Sequence, residues 1–198
     1  IAGPRIEDQW PAICYSYGIF NVPNITSVNE QKSFILQHRT RTPKRVIDIG
    51  SGQGEVSCFL HHLNCEVQSV DVNKASAQFH KQMYQHWFGV EPDDTYTLLL
   101  GDLDSTYNDL DLNVDTVFFV ESIEHVHQDE WLRFFNRALP YFKTNNTVLV
   151  ITNLKGFWPL IPDGTDHVML IDENFYDELT THCRQVLYRD NSHIALEF

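Results

Sequence analysis

Nothing constrains the fold of this chain more than ten consecutive residues, Val46-Ile47-Asp48-Ile49-Gly50-Ser51-Gly52-Gln53-Gly54-Glu55. An apolar run with one carboxylate reads as a buried strand, and three glycines at alternate positions read as a turn that feeds a helix. Glycine at such a turn opens backbone conformations closed to other residues. It also lets a ligand lie against the strand's carboxyl end, where doubly wound sheets bind nucleotides. The structural alternatives are a tight strand-to-helix connection for the glycines and the capping of a local turn for Asp48.

Strand and helix then alternate along the chain. Strands are expected at 46–49, 67–72, 95–100, 115–120, 147–152, 185–189 and 193–198, and helices at 55–63, 75–88, 128–142 and 173–182. In the third of these helices Trp131, Phe134, Phe135, Ala138 and Leu139 share a face. The last two strands form a hairpin around Asp190-Asn191-Ser192. This pattern predicts an α/β fold: a seven-stranded, mostly parallel Rossmann-like sheet with an antiparallel last strand and helices on both faces. Residues 1–44 read as an N-terminal cover segment. It carries Trp10, Tyr15, Tyr17, Phe20 and Val22, with Ser27-x-x-Glu30 as the capping box of a helix running to His38. Residues 45–198 read as the domain proper, and the whole as one compact unit.

Composition excludes several function classes. With 14 Lys+Arg against 27 Asp+Glu the formal charge is −13, which opposes backbone-driven nucleic-acid binding; only Arg39, Arg41, Lys44 and Arg45 cluster. A hydrophobic content of 42% is ample for a core and rules out intrinsic disorder. No apolar run approaches the roughly 20 residues of a membrane span, so no membrane partner is expected. The 4 cysteines, Cys14, Cys58, Cys65 and Cys183, form no C-x-x-C pair, which argues against a disulfide framework or thiolate zinc and for a reducing, cytoplasmic location. The chain starts at Ile1 without Met or a leader, so it is expected to belong to a larger polypeptide or complex.

Asp71 ends the second strand about 20 residues after the glycines, where a carboxylate can accept hydrogen bonds from both ribose hydroxyls; adenosine is the expected ligand. The Gly50-x-Gly52-x-Gly54 spacing differs from the G-x-G-x-x-G of dinucleotide-binding proteins. With Asp48 two residues before the first glycine, it resembles motif I of the class I S-adenosylmethionine-dependent methyltransferases. The resemblance runs from about Arg45 to the C-terminus. It implies S-adenosylmethionine as cofactor, with Asp48, Gly50, Ser51, Gly52 and Gly54 at its amino-acid end. Asp71 and Val72 would then meet the ribose, and Asp102 and Leu103 of Gly101-Asp102-Leu103 the adenine.

A second cluster, Glu121-Ser122-Ile123-Glu124-His125-Val126-His127, follows the fourth strand at the edge where a methyl acceptor should meet the cofactor. Spacings of three and four let Glu121, Glu124 and His125 converge if the segment is helical, and His167 lies after the fifth strand. Such an oxygen and nitrogen set suits a divalent cation, Mg²⁺ or Mn²⁺ foremost, with room for substrate oxygens. A hydrogen-bonded turn at Glu124 and His125, with His127 capping the next helix, is the structural alternative. His61, His62, His80 and His86 read as solvated helix positions, and Phe157-Trp158-Pro159 as a wall of an acceptor pocket or a loop contact.

Glu-x-x-Glu-His with a downstream His resembles the small-RNA 3′-terminal 2′-O-methyltransferases. That resemblance implies Glu121, Glu124, His125 and His167 as ligands of a cation that grips the two terminal ribose hydroxyls, and so as the catalytic residues. Thr152-Asn153 lacks the family's intervening proline, and Ile171 stands where the family has tryptophan. Gly164-Thr165-Asp166-His167 is also similar to a motif of the ubiquinone-biosynthesis O-methyltransferases, whose catechol acceptor presents the same vicinal oxygens. The expected acceptor is therefore a vicinal diol, foremost the 2′-hydroxyl of an RNA ribose at an RNA end, with a small catechol or phenol diol as the alternative. A metal-independent methyltransferase and a catalytically silent cofactor-binding subunit are the remaining classes.

Overall fold

The computed structural model describes residues 44–62, 64–152, 168–191 and 193–198. Seven strands, β1 (Arg45–Ile49), β2 (Glu66–Asp71), β3 (Tyr96–Leu100), β4 (Thr116–Val120), β5 (Val148–Thr152), β6 (Gln185–Arg189) and β7 (His193–Glu197), form one sheet. Their order is β3-β2-β1-β4-β5-β7-β6, with β7 antiparallel to both its neighbours. The helices are α1 (Glu55–His62), α2 (Ser76–Phe88), α3 (Leu103–Thr106), α4 (Gln128–Asn145) and α5 (Glu173–Thr180). The expected seven-stranded Rossmann-like sheet with an antiparallel last strand is therefore present. The cover segment, the Arg39 and Arg41 part of the basic cluster, the Phe157-Trp158-Pro159 patch and His167 lie outside the described residues.

Strand alternation sorts the interior into two layers. Ile47, Ile49, Val117, Phe119, Leu149, Ile151, Ile194 and Leu196 join the larger cluster with the aromatic face of α4. Val46, Phe118, Val148, Val150 and Ala195 face the other way, against Val56 and Leu60 of α1. Asp48 shares that second face and is 1% exposed. Its carboxylate accepts the Ser57 hydroxyl of α1 at 2.5 Å, and Ser57 accepts the Ser69 hydroxyl of β2 at 2.6 Å. A buried charge without such donors would be strongly destabilising.

Two elements depart from expectation. Helix α4 runs through Pro140 to Asn145 and stops at Asn146 in a left-handed conformation (φ 51°). The buried ring of Phe142 gives the last turns a packing reason to persist past a residue that lacks an N–H. Short α3 has no apolar periodicity to announce it; Asp102 caps it, accepting the Ser105 N–H at 2.8 Å.

The glycine turn is braced from behind by α2, and this corrects the reading of two histidines. His80 and His61 are buried at 3% and 8% exposure, because Ser76, His80, Met83 and Tyr84 form the inward face of α2 and His61 bonds the Tyr84 hydroxyl. His80 Nε2 lies 3.2 Å from the Gly52 carbonyl and 3.3 Å from the Ser51 hydroxyl. A carbonyl only accepts, so Nε2 carries the proton, and the Tyr96 hydroxyl donates to Nδ1 at 2.6 Å. Gly54 (φ +87°) runs so close that a Cβ would sit 2.5 Å from the His80 ring. No helix among the described residues is long and apolar enough to cross a membrane.

Phe119, at 0% exposure, meets Trp131 and Phe134 edge-on. Phe119→Ala should cost about 3–5 kcal/mol in urea unfolding. Burial pushes the His80 imidazole down from its usual 6.5 to about 4 against the weaker opposite pull of the Gly52 carbonyl and Asp71. Between those values the unfolded chain binds a proton that the folded one refuses. This contribution to stability is therefore complete above pH 6.5 and lost as pH falls toward 4. It amounts to roughly 3 kcal/mol at most. Unfolding measured at pH 7.5 and 5 should show a smaller pH-dependent loss in His80→Gln than in the native protein.

Candidate functional site

The site is built where the strand order reverses. β1 pairs with β2 on one side and β4 on the other, so the loops leaving β1 and β4 turn to opposite faces and a crevice opens at their carboxyl ends. Gly50 and Ser51 both donate their N–H groups to the Val70 carbonyl, at 2.9 and 3.1 Å, which folds the turn back over β2. Gly50 has φ +72°, and a Cβ there would fall 2.3 Å from Ser122 Cβ. Ser122 itself donates to the Ile49 carbonyl at 2.6 Å. Glycine is required at 50 both by the backbone and by the approach of the β4 loop.

The cleft holds about 220 Å³. Gly50, Asp71, Val72, Gly101, Asp102 and Leu103 line it, and so do Glu121, Ser122, His125 and Glu130. It thus brings Gly50, Asp71, Val72, Asp102 and Leu103 of the expected cofactor residues together with Glu121 and His125 of the second cluster. Asp71, 8% exposed, uses Oδ2 to accept the Gly52 N–H and Oδ1 to accept the Asn73 N–H, each at 2.7 Å. These bonds fix the carboxylate at the end of β2, and each oxygen retains a second lone-pair direction. The Ser105 hydroxyl and N–H hold the Asp102 carboxyl below its usual range.

Asp48, Ser51, Gly52 and Gly54 do not line the cleft. The Asp48 carboxylate points beneath the turn to Ser57, while Ser51, Gly52 and Gly54 meet His80 or Asp71. These contacts shape the turn that presents Gly50 to the cleft.

On the wall of the cleft that follows β4, residues Ile123–His125 form one 3₁₀ turn, and Glu121 precedes it with φ 53°. Glu124 is 2% exposed, His125 Nε2 lies 4.0 Å from its Oε1, and the His125 side chain is 44% exposed. The Glu124 carbonyl accepts the N–H groups of Val168 at 2.8 Å and Met169 at 3.2 Å, which ties the chain just after position 167 to this turn. Among the described residues no three His, Cys, Asp or Glu side chains gather to hold a metal ion. Burial, then the Asp190, Glu124 and Glu121 carboxylates, push the Tyr176 phenol up, so this ring behind the turn stays neutral. His127 occupies the N-cap position of α4 with no side-chain capping bond.

Sequence reasoning passed over Ser122, His80 and Glu130. The i, i+3, i+4 spacing of His80, Met83 and Tyr84 was the available signal for the second. Ser122 and Glu130 act on backbone groups far back in the chain, Ile49 and Leu103, and no local pattern announces such contacts. Arg45 of the basic cluster is engaged in ion pairs: its guanidinium pairs with Glu66 at 3.1 Å and also with Asp111. It stands at the amino end of β1, away from the cleft.

Comparison with known proteins agrees with this geometry. A family model described as a methyltransferase domain matches residues 27–193. No curated protein matches significantly. The PH0226 protein from Pyrococcus horikoshii OT3 superposes with a TM-score of 0.60 at 18% identity, over 91% of this chain and 95% of that one. The SAH-bound methyltransferase PaMTH1 of Podospora anserina gives 0.61 at 13% identity, over 100% and 98%. Magnesium protoporphyrin IX methyltransferase (ChlM) from Synechocystis PCC 6803 with bound SAH gives 0.57 at 15%, over 96% and 92%. At such identities the likeness is one of fold. With the family model spanning most of the sequence, the chain belongs to the methyltransferase domain family and has the fold of the class I S-adenosylmethionine-dependent methyltransferases.

Proposed function

We propose that the chain transfers a methyl group to the hydroxyl of a vicinal diol, an RNA 3′-terminal ribose or a small catechol-like molecule. The observation that carries this reading is one continuous cleft. Its Gly50, Asp71 and Leu103 side suits a nucleoside, and its Glu121 and His125 side is acidic and basic. When bound, S-adenosylmethionine supplies a methyl group already activated by the sulfonium charge; the acceptor oxygen takes it as the S–C bond breaks and S-adenosylhomocysteine leaves. Asp71 would hold the ribose hydroxyls and Gly50 would let the cofactor lie close to the β1 edge. Glu121 and His125 are the groups positioned to orient the acceptor and receive its proton, and orientation of this kind does most of the catalytic work.

In the finer form of the proposal, Glu121, Glu124, His125 and His167 hold a divalent cation that lowers the acceptor's pKa. The support is the chemistry of this donor set, the burial of Glu124, and the bonds from Val168 and Met169 to its carbonyl. Glu121, Glu124 and His125, all among the described residues, do not gather into a ligand set. The expected convergence of these three is absent from the structure, and a cation there requires His167 and a different arrangement of the turn. The acidic balance and the pairing of Arg45 favour a small diol over a long RNA.

Calorimetry with S-adenosylhomocysteine tests the cofactor side. The native protein should bind it, and Asp71→Ala should weaken binding by about 1.5–3 kcal/mol, with thermal melts run in parallel because Asp71 also holds the Gly52 and Asn73 N–H groups. Retained affinity in a folded variant contradicts the ribose role. A radiolabelled methyl-transfer screen over short RNAs and catechols, with and without EDTA, tests the acceptor side. Loss of turnover in EDTA and in His167→Ala supports the cation; turnover unchanged by both removes it and leaves a metal-independent enzyme.

A further inference from the structure

Helix α2 reaches the glycine turn through one side chain that is not itself part of the cleft lining. The His80 Nε2–H donates to the Gly52 carbonyl at 3.2 Å. The Gly52 N–H in turn donates at 2.7 Å to Oδ2 of Asp71, the carboxylate in the cleft wall. Gly52 is thus gripped at both ends, its carbonyl by His80 and its N–H by Asp71. It stands at φ +56°, and apart from its chain neighbours no described atom comes within 4 Å of where a Cβ would be, so these bonds rather than packing hold it. The gripping ring is itself held fast. The Tyr96 hydroxyl of β3 donates to Nδ1 at 2.6 Å, and the Cys58 thiol of α1 donates to the His80 carbonyl at 3.8 Å, which anchors α2 at the same residue.

We propose that His80 is a positioning residue for the cofactor: through Gly52 it sets the direction of the Asp71 carboxylate. The proposal rests on the cofactor reading above, in which Asp71 holds the ribose hydroxyls. The terminal torsion of an aspartate is broad, so its carboxylate has a fixed plane only when both oxygens are engaged. Oδ1 accepts the Asn73 N–H, which lies two residues on at the same strand end. That bond alone lets the carboxylate turn about it, and the Gly52 N–H on Oδ2 is the second point that fixes the plane. Without a donor at position 80 the Gly52 carbonyl loses its partner, and a glycine with no packing around it rotates to find another. Its N–H then leaves Oδ2, and Asp71 has to be ordered by the ligand instead of before it arrives.

Calorimetry with S-adenosylhomocysteine on the native protein, His80→Gln and His80→Met provides the test, with thermal melts to show that each is folded at the assay temperature. The glutamine amide returns an N–H donor to the place of Nε2, whereas methionine fills similar space without one. His80→Gln should bind within about threefold of the native protein, and His80→Met about tenfold more weakly. Equal loss in the two variants, the mark of a packing role, overturns the proposal, and so does native affinity in a folded His80→Met. A second measurement needs no variant. In native protein labelled with ¹⁵N-histidine, the His80 Nε2–H resonance, identified by its Overhauser contacts to Gly54, should shift as S-adenosylhomocysteine saturates the cleft. A resonance that stays in place while calorimetry registers binding overturns the proposal and leaves the cofactor reading intact. If the native protein binds no S-adenosylhomocysteine, the cofactor reading itself is overturned and this proposal with it.

Discussion

The Ser122 hydroxyl donates to the Ile49 carbonyl at 2.6 Å, and the arrangement of the site depends on this contact. It draws the loop after β4 against the end of β1 at the point where the strand order reverses. Two neighbouring parallel strands whose connections leave to opposite faces must part at their carboxyl ends, and a side chain on one loop that bonds the other strand's last carbonyl sets how far. Gly50 is the matching half of the contact, because any Cβ would occupy the space that Ser122 fills. The two walls of the cleft consequently stand at a fixed separation. For the proposed transfer, in which alignment supplies most of the rate, that separation is the property the fold has to deliver.

Behind the turn, charge and hydrogen bonding compensate the buried Asp48 and His80. The Asp48 carboxylate draws on a chain of two serine hydroxyls, Ser57 and Ser69, that links β1, α1 and β2. Next to it the neutral His80 ring joins Tyr96 of β3 to the Ser51 and Gly52 segment. Two polar networks thus hold a glycine-rich segment that has few apolar side chains to anchor it. The cost of burying them is met because each donor finds an acceptor.

The fold was legible because its signals are local: apolar strands at regular spacing, glycines between them, and carboxylates at strand ends. Asp48 was legible twice over. Its position two residues before Gly50 resembles a family motif, and in a strand with Ile47 and Ile49 in the larger cluster the period of two sets Asp48 on the opposite face, with Val46. His80 was misjudged, since a histidine at a core position of a helix looks like a polar surface residue until its partners on β3 and the glycine turn are known. Glu130 and Ser122 were beyond reach in principle. Each bonds the backbone of a remote loop, and the separation in sequence carries no record of the contact.

Glu121 continues β4 by donating its N–H to the Thr152 carbonyl at 3.0 Å, but it does so in the left-handed region, at φ 53°. A residue with a Cβ stands there at a cost of about 1–2 kcal/mol that glycine would not incur. The backbone bends at this point whichever side chain is present, and the bend is what carries the chain from the sheet into the cleft wall. A carboxylate at 121 is therefore held against local preference, aimed by strain that the β4–β5 ladder and the buried Ile123 sustain. In the role proposed for Glu121, stability and chemistry make opposite demands on this single position, and the most stable version of this protein and the most active one would differ at it.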